Sequence, residues 1–243
     1  MVHNPEVTVG SGSKMTTHKK NGRPRLRPAG PILVTRVRPP SVVQTAQITV
    51  LFADLRGYTG MAERLPAIRV VPLLDEFFRV LAGVIESFGG QVYHMAGDGI
   101  MSGFGVNASS GSGAFDAFAA GHAMLRDFAP IAQRWRKELS VDAGIGIGLH
   151  LGEVAIAVLG PARRKTRTLV GDTVNVAARL CSRARAGEVL FSCTVAAALE
   201  GSSAQVRANM GAVPFLQLPQ FELRGRSRPI DIWCVPAAER LAL

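Results

Sequence analysis

The sequence predicts an α+β fold, a ferredoxin-like βαββαβ-type core in which a mostly antiparallel sheet carries helices packed on it. The order of periodicities predicts it: a strand-like run, a helical run, two strand-like runs, a second helical run and further strands. A Gly97-Asp98-Gly99 turn signal joins the second and third strands as a hairpin. No internal repeat points to a solenoid.

Taken in order, Ile48 to Ala53 is a continuous apolar run and predicts a buried strand. Ile68 to Phe88 places Val71, Leu74, Phe78, Leu81 and Ile85 at helical spacing, and Gly89-Gly90 ends that helix. Gln91 to Ala96 and Ile100 to Val106 predict the hairpin strands. A Gly/Ser loop from Asn107 to Gly113 leads to a helix over Ala114 to Arg136. Val141 to Leu149 and Val154 to Leu159 predict a strand pair joined near Gly152-Glu153, with a basic loop over Pro161 to Thr168. A helix over Asp172 to Arg185, a strand at Val189–Ser192, a short helix near Thr194–Leu199 and strands at Phe215–Arg224 and Pro229–Val235 complete the chain.

Composition bounds the function. The 243 residues carry a net charge of +10. Most of it lies in residues 1–45, where eight Lys and Arg face one acid, Glu6. This Gly/Pro/Ser-rich segment reads as a basic flexible tail, with one domain over residues 46–238. A basic tail can touch nucleic acid or anionic lipid. The lack of interleaved aromatics and of helical period favours a solvated leader instead. No apolar tract is long enough for a spanning helix, and no apolar leader reads as a secretory signal. Cys181, Cys193 and Cys234 form no CxxC pair, which suits a reducing cytoplasm and structural thiols.

The candidate chemistry begins with Asp54, an acid near the end of an apolar strand, and Asp98, at the tip of the predicted hairpin. A ferredoxin-like order sets the first strand beside that hairpin, so two acids distant in sequence can face each other. Adjacent carboxylates repel, and a divalent cation between them relieves the repulsion. Oxygen ligands with few dedicated protein groups suit Mg²⁺ or Mn²⁺ held jointly with phosphates. The plainer reading is that Asp54 caps the following helix and Asp98 serves the turn. In Gly171-Asp172-Thr173-Val174-Asn175-Val176-Ala177-Ala178-Arg179, Asn175 and Arg179 are four apart and share a helix face. An amide and a guanidinium so placed can hold a ribose or phosphate oxygens. An ordinary polar helix face has the same pattern.

VLFADLRGYT, HMAGDGIMSGFG, GIGLHLGE, LVGDTVNVAARL and FELRGRSRPIDIW occur in this order. Together they resemble the catalytic domains of class III nucleotide cyclases over about Gln47 to Val235. GIGLHLGE lacks the GxGxxG spacing of a dinucleotide fingerprint. No GG[DE]EF string supports a diguanylate-type cyclase. The resemblance implies two metal ions, Mg²⁺ or Mn²⁺, on Asp54 and Asp98 with the Leu55 carbonyl as a further ligand. It implies that Asn175 orients the ribose and Arg179 stabilises the transition state. Arg224 or Arg226 falls where relatives contact the triphosphate. It further implies a homodimer with shared sites, metals on one subunit and Asn/Arg on the other. Many adenylate cyclases have Lys where this chain has His94 and Asp where it has Thr168, the pair that reads adenine. His94 and Thr168 can each donate or accept. The expected activity is conversion of ATP to 3′,5′-cyclic AMP and pyrophosphate; GTP as substrate, or a degenerate nucleotide-binding module without turnover, are the alternatives.

Overall fold

A computed structural model of the chain describes residues 43–106, 111–161, 163–201, 215–222 and 229–236. The basic tail, most of the predicted Asn107–Gly113 loop, Arg224 and Arg226 lie outside the described residues. All described residues belong to one unit, Pro39–Leu243.

The elements run β1 (Val43–Arg56), α1 (Tyr58–Arg64), α2 (Ala67–Ser87), β2 (Gln91–Ala96), β3 (Gly99–Phe104) and α3 (Ala114–Leu139). They continue as β4 (Gly144–Leu159), β5 (Thr166–Val170), α4 (Asp172–Arg183), β6 (Glu188–Ser192), α5 (Cys193–Glu200), β7 (Leu216–Phe221) and β8 (Ile230–Val235). The sheet order is β2-β3-β1-β4-β6-β8-β7, with β5 paired to β4. Its first four strands have the order of a ferredoxin-like βαββαβ core. The β4–β6 pair is parallel and the other pairs are antiparallel.

Strand alternation divides β1 between two layers. Leu51, Ala53 and Leu55 join the main core, where Phe77, Leu81 and Ile85 of α2 and Phe118 and Met124 of α3 pack. Ile48 and Val50 face the opposite side of the sheet, with Tyr93, Met101, Leu169 and Ala177 of α4. Asp54 and Arg56 continue that second series by the same alternation, toward the side that α4 covers.

The predicted pair of strands within residues 141–159 is a single strand. β4 runs through Gly152 without a turn and pairs with β1 from Arg56↔Gly144 to Val43↔Ala157. Its hairpin partner is β5, in the segment predicted to be a basic loop. Gly152 serves an approach: a Cβ there would lie 2.6 Å from Thr173 Oγ1 of α4. On the same face, a Cβ at Gly148 would lie 2.1 Å from the Cys181 nitrogen and one at Gly144 2.6 Å from Ala186 Cβ. The alternate residues Ile145, Ile147 and Leu149 enter the main core. The Gly/Ile alternation thus builds one smooth face for a helix and one branched face for the core. On α2 the buried stripe is Val70, Leu73, Phe77, Leu81, Val84 and Ile85, one residue off the predicted start, and Val71 is 61% exposed. Helix α1 had no sequence prediction; Gly57, in left-handed backbone at φ 87°, starts it.

Candidate active site

The β1–β3 register builds the acidic half of the site. Asp54 pairs with Gly99, the first residue of β3. The Leu55 amide donates to the Asp98 carbonyl at 2.9 Å, extending the ladder to the turn. Gly97, at φ 60°, turns the hairpin tip and leaves Asp98 half-buried beside the end of β1. Two acids 44 positions apart in the sequence therefore lie on neighbouring strand ends. Asp54 is not a helix cap: Gly57 occupies that position in α1 and no side chain caps the helix. Burial, and then the charge of Asp98, push the Asp54 carboxyl above its ordinary range, while Arg56 pulls it back. Burial and a like charge nearby both disfavour the ionised form of a carboxylate. Among the described residues no cluster of three or more His, Cys, Asp or Glu side chains forms a ready-made cage. A two-acid site suits a hard cation that takes its other ligands from phosphate oxygens, backbone and water.

The second half is on α4. Gly171, at φ 151°, ends β5 and lies against β4, where a Cβ would stand 3.2 Å from the Glu153 carbonyl. Thr173 donates to that carbonyl at 2.6 Å and fixes the first turn. The buried positions Thr173, Val176, Ala177, Leu180 and Cys181 place one helix face on the sheet. Asn175 is exposed and Arg179 half-buried, on the face turned away from the sheet.

His94 lies on β2 and Thr168 on β5, strands that do not pair with each other in the sheet. A register shift between Val92 and His94 puts His94 opposite Met101, on the Tyr93 side of β2, and exposes it. Thr168 pairs with Ala157 and is half-buried. Arg167 joins the strands, donating to Gln91 Oε1 at 2.9 Å with its guanidinium 5.7 Å from the Tyr93 ring centroid.

The sequence reading missed Arg56. Its Nη1 donates to Asp54 Oδ2, its Nη2 to the Cys181 carbonyl, and its Nε to the Ala184 carbonyl at 3.0 Å. A Cβ at Gly146 would lie 2.6 Å from this guanidinium, so the glycine opens the space it fills. The i, i+2 spacing of Asp54 and Arg56 was the available signal. Burial pushes the neighbouring Cys181 thiol up to about 12 and keeps it protonated.

Residues 41–228 match the family model described as the adenylate and guanylate cyclase catalytic domain. The chain belongs to this family, as the sequence motifs implied. It is 32% identical to an adenylate cyclase of Anabaena cylindrica over 144 residues, 56% of this chain and 27% of that protein. An uncharacterized protein of Mycobacterium tuberculosis is 30% identical over 187 residues, 76% of this chain and 32% of that protein. The chain thus spans about a third or less of these curated relatives. Among solved structures, the adenylyl cyclase CyaB from P. aeruginosa superposes with a TM-score of 0.73 at 27% identity, covering 82% of this chain and 98% of that chain. The guanylyl cyclase Cya2 gives 0.68 at 29% identity, covering 80% and 93%. The described helices include none long and apolar enough to cross a membrane.

Proposed function

We propose that the chain is an adenylate cyclase that converts ATP to 3′,5′-cyclic AMP and pyrophosphate at sites shared between two copies in a homodimer. The observation that carries this reading is the division of polar groups within one chain. Asp54 and Asp98 lie on neighbouring strand ends, with Asp54 tied through Arg56 to the end of α4, while Asn175 and Arg179 occupy the face of α4 turned away from the sheet. A helix cannot present one face to its own acids and the opposite face to the same substrate. A second copy related by two-fold symmetry offers each half its complement.

In the proposed reaction the ribose 3′-oxygen attacks the α-phosphorus in line. The bond from that phosphorus to the bridging oxygen breaks, pyrophosphate leaves, and the hydroxyl proton passes to solvent. Asp54, Asp98 and the Leu55 carbonyl would hold two Mg²⁺ or Mn²⁺ ions, which when bound would neutralise phosphate charge as Lewis acids and acidify the attacking hydroxyl. Asn175 holds the ribose. Arg179 donates to the equatorial phosphate oxygens as their charge grows. Arg224 or Arg226 contacts the triphosphate. His94 and Thr168 face the base edge. Adenine is favoured by the Anabaena cylindrica relative and by the TM-score of the adenylyl cyclase CyaB.

Guanine is a second reading, because the guanylyl cyclase Cya2 is of similar identity and His94 and Thr168 can each donate or accept. Mass analysis of the products formed from ATP and from GTP, each with Mn²⁺, tests the assignment. Cyclic AMP as the dominant product is expected. Dominant cyclic GMP would select the guanylate reading, and no cyclic product from either would leave a nucleotide-binding module.

A further inference from the structure

Arg56 has three partners on two different elements. One guanidinium edge reaches Asp54 Oδ2 in β1; the other reaches the Cys181 and Ala184 carbonyls at the C-terminal end of α4. Cys181 lies in the last turn of the helix and Ala184 is its C-cap, whose amide also donates to the Cys181 carbonyl at 3.0 Å, and the helix dipole favours a cation at this end. A planar fork can satisfy all three acceptors at once; a lysine ammonium on a flexible stem has no such preset geometry. The side chain is 24% exposed, so solvent does little to loosen the arrangement. With Oδ2 engaged, Oδ1 is the oxygen left for a ligand, and it faces the start of β3: a Cβ at Gly99 would lie 3.3 Å from it. Asp98 is the next residue toward the turn.

We propose that Arg56 is the positioning residue of the cation site, braced on the end of α4 so that it holds one oxygen of Asp54 and turns the other toward Asp98. This rests on the reading of Asp54 and Asp98 as cation ligands. It also has a rival with the opposite sign. A guanidinium beside a carboxylate competes with an incoming cation for the same charge. If competition dominated, losing Arg56 would tighten cation binding. If positioning dominates, the loss weakens it, because carboxylates that ligate metals are themselves oriented by hydrogen bonds, and removing such a partner costs about 10–100-fold in affinity or activity.

Arg56→Lys separates the two, since it keeps the charge and loses the fork. The probe is Mn²⁺ alone, titrated into the full-length protein without nucleotide and read by loss of the free-ion electron paramagnetic resonance signal. Wild type, Asp54→Asn, Arg56→Lys and Arg56→Gln are compared, each first checked by thermal melting without metal. The expected result is that Asp54→Asn abolishes specific binding and that both Arg56 variants weaken it about tenfold or more. Wild-type binding in Arg56→Lys with tighter binding in Arg56→Gln would overturn the proposal and make Arg56 a competing charge. Wild-type binding in both would overturn it as well. If Arg56→Gln does not fold, Arg56→Lys decides alone. Unchanged binding in Asp54→Asn would instead defeat the cation reading itself, a different outcome from any that defeats positioning.

Discussion

His94 and Thr168 are the residues on which nucleotide choice turns in the proposed function, and each offers a weaker code than a charged pair. A lysine donates only and an aspartate accepts only, whereas an imidazole and a hydroxyl do either. The double substitution His94→Lys with Thr168→Asp is therefore expected to raise the ATP over GTP ratio of kcat/KM by about 1–3 kcal/mol, the range of a good polar contact to a base edge. An unchanged ratio places both side chains away from the base. A second residue-scale expectation concerns His122 in α3. Its Nε2 is buried with no hydrogen-bond partner among the described residues, and its ring lies 4.7 Å from that of Phe118. Burial lowers its pKa below the ordinary 6.5. The unfolded chain then takes up this proton at a higher pH than the folded one. The stabilising contribution is complete above the ordinary imidazole range and is lost as pH falls through the lowered folded value. Melting temperature should drop on acidification below about pH 6.5, and His122→Leu should flatten that slope. An equal slope in the variant would assign the acid sensitivity to other groups. Of the candidate site residues, Asp54, Asp98, Asn175 and Arg179 stood out as polar groups near the end of an apolar strand, at a hairpin tip and at helical spacing, and their expected roles came from the resemblance to the cyclase family. Arg56 was not, because an arginine before a glycine turn looks solvated. Only the packing of α4 over Gly146 shows what it holds.

At the scale of elements, the spacing between β4 and α4 decides whether Asn175, Arg179 and the brace on Asp54 are held in place. That spacing depends on Gly148, where a Cβ would lie 2.1 Å from the Cys181 nitrogen and 2.5 Å from the Ala177 carbonyl, both backbone atoms that cannot swing aside. Gly148→Ala should destabilise by about 1–3 kcal/mol or more by forcing the helix off the sheet. Gly83 in α2 is the contrast. It is exposed, has no left-handed φ, and has nothing within 4 Å of an added Cβ. Gly83→Ala should stabilise by up to about 1 kcal/mol through helix propensity. Denaturant melts of both variants check the pair; a neutral Gly148→Ala would show that α4 can move without cost. The same glycines explain where sequence reading failed. Gly152 followed by Glu153 has the composition of a turn, so residues 141–159 read as two strands. In the fold its missing side chain makes room for Thr173 while the backbone stays extended. A glycine that serves an approach and one that serves a turn look alike until the second element is in place. β5 was hidden for a related reason: Arg163, Arg164, Lys165 and Arg167 give the segment the charge of a loop, though Leu169 is buried against the sheet. The α2 stripe shifted because apolar residues stand on both sides of the true face, and Ile68 and Val71 stay exposed. The place of the first strand beside the hairpin, in contrast, was expected from the ferredoxin-like arrangement, and β1 pairs with β3.

For the whole molecule the question is whether one chain can complete a site. In the proposed homodimer each of two equivalent sites draws its acids from one chain and Asn175 and Arg179 from the other. Asp54→Ala and Arg179→Ala homodimers should each be nearly inactive, because each lacks one component at both sites. A mixture behaves differently. In a heterodimer, the intact acids of the Arg179→Ala chain meet the intact arginine of the Asp54→Ala chain, and one complete site forms; the other site carries both defects. With free exchange and equal amounts, about half of the dimers are heterodimers by two-fold symmetry. Each has one working site of two, so activity should recover to roughly a quarter of wild type. The arithmetic depends on subunit exchange, which a pair of differently tagged chains reports directly. Recovery near this level also requires that each site works without its neighbour; a smaller recovery with full exchange would measure coupling between sites. Complete lack of recovery despite demonstrated exchange would refute the shared site and require Asp54 and Arg179 to meet on one chain, against the outward face that α4 gives Asn175 and Arg179.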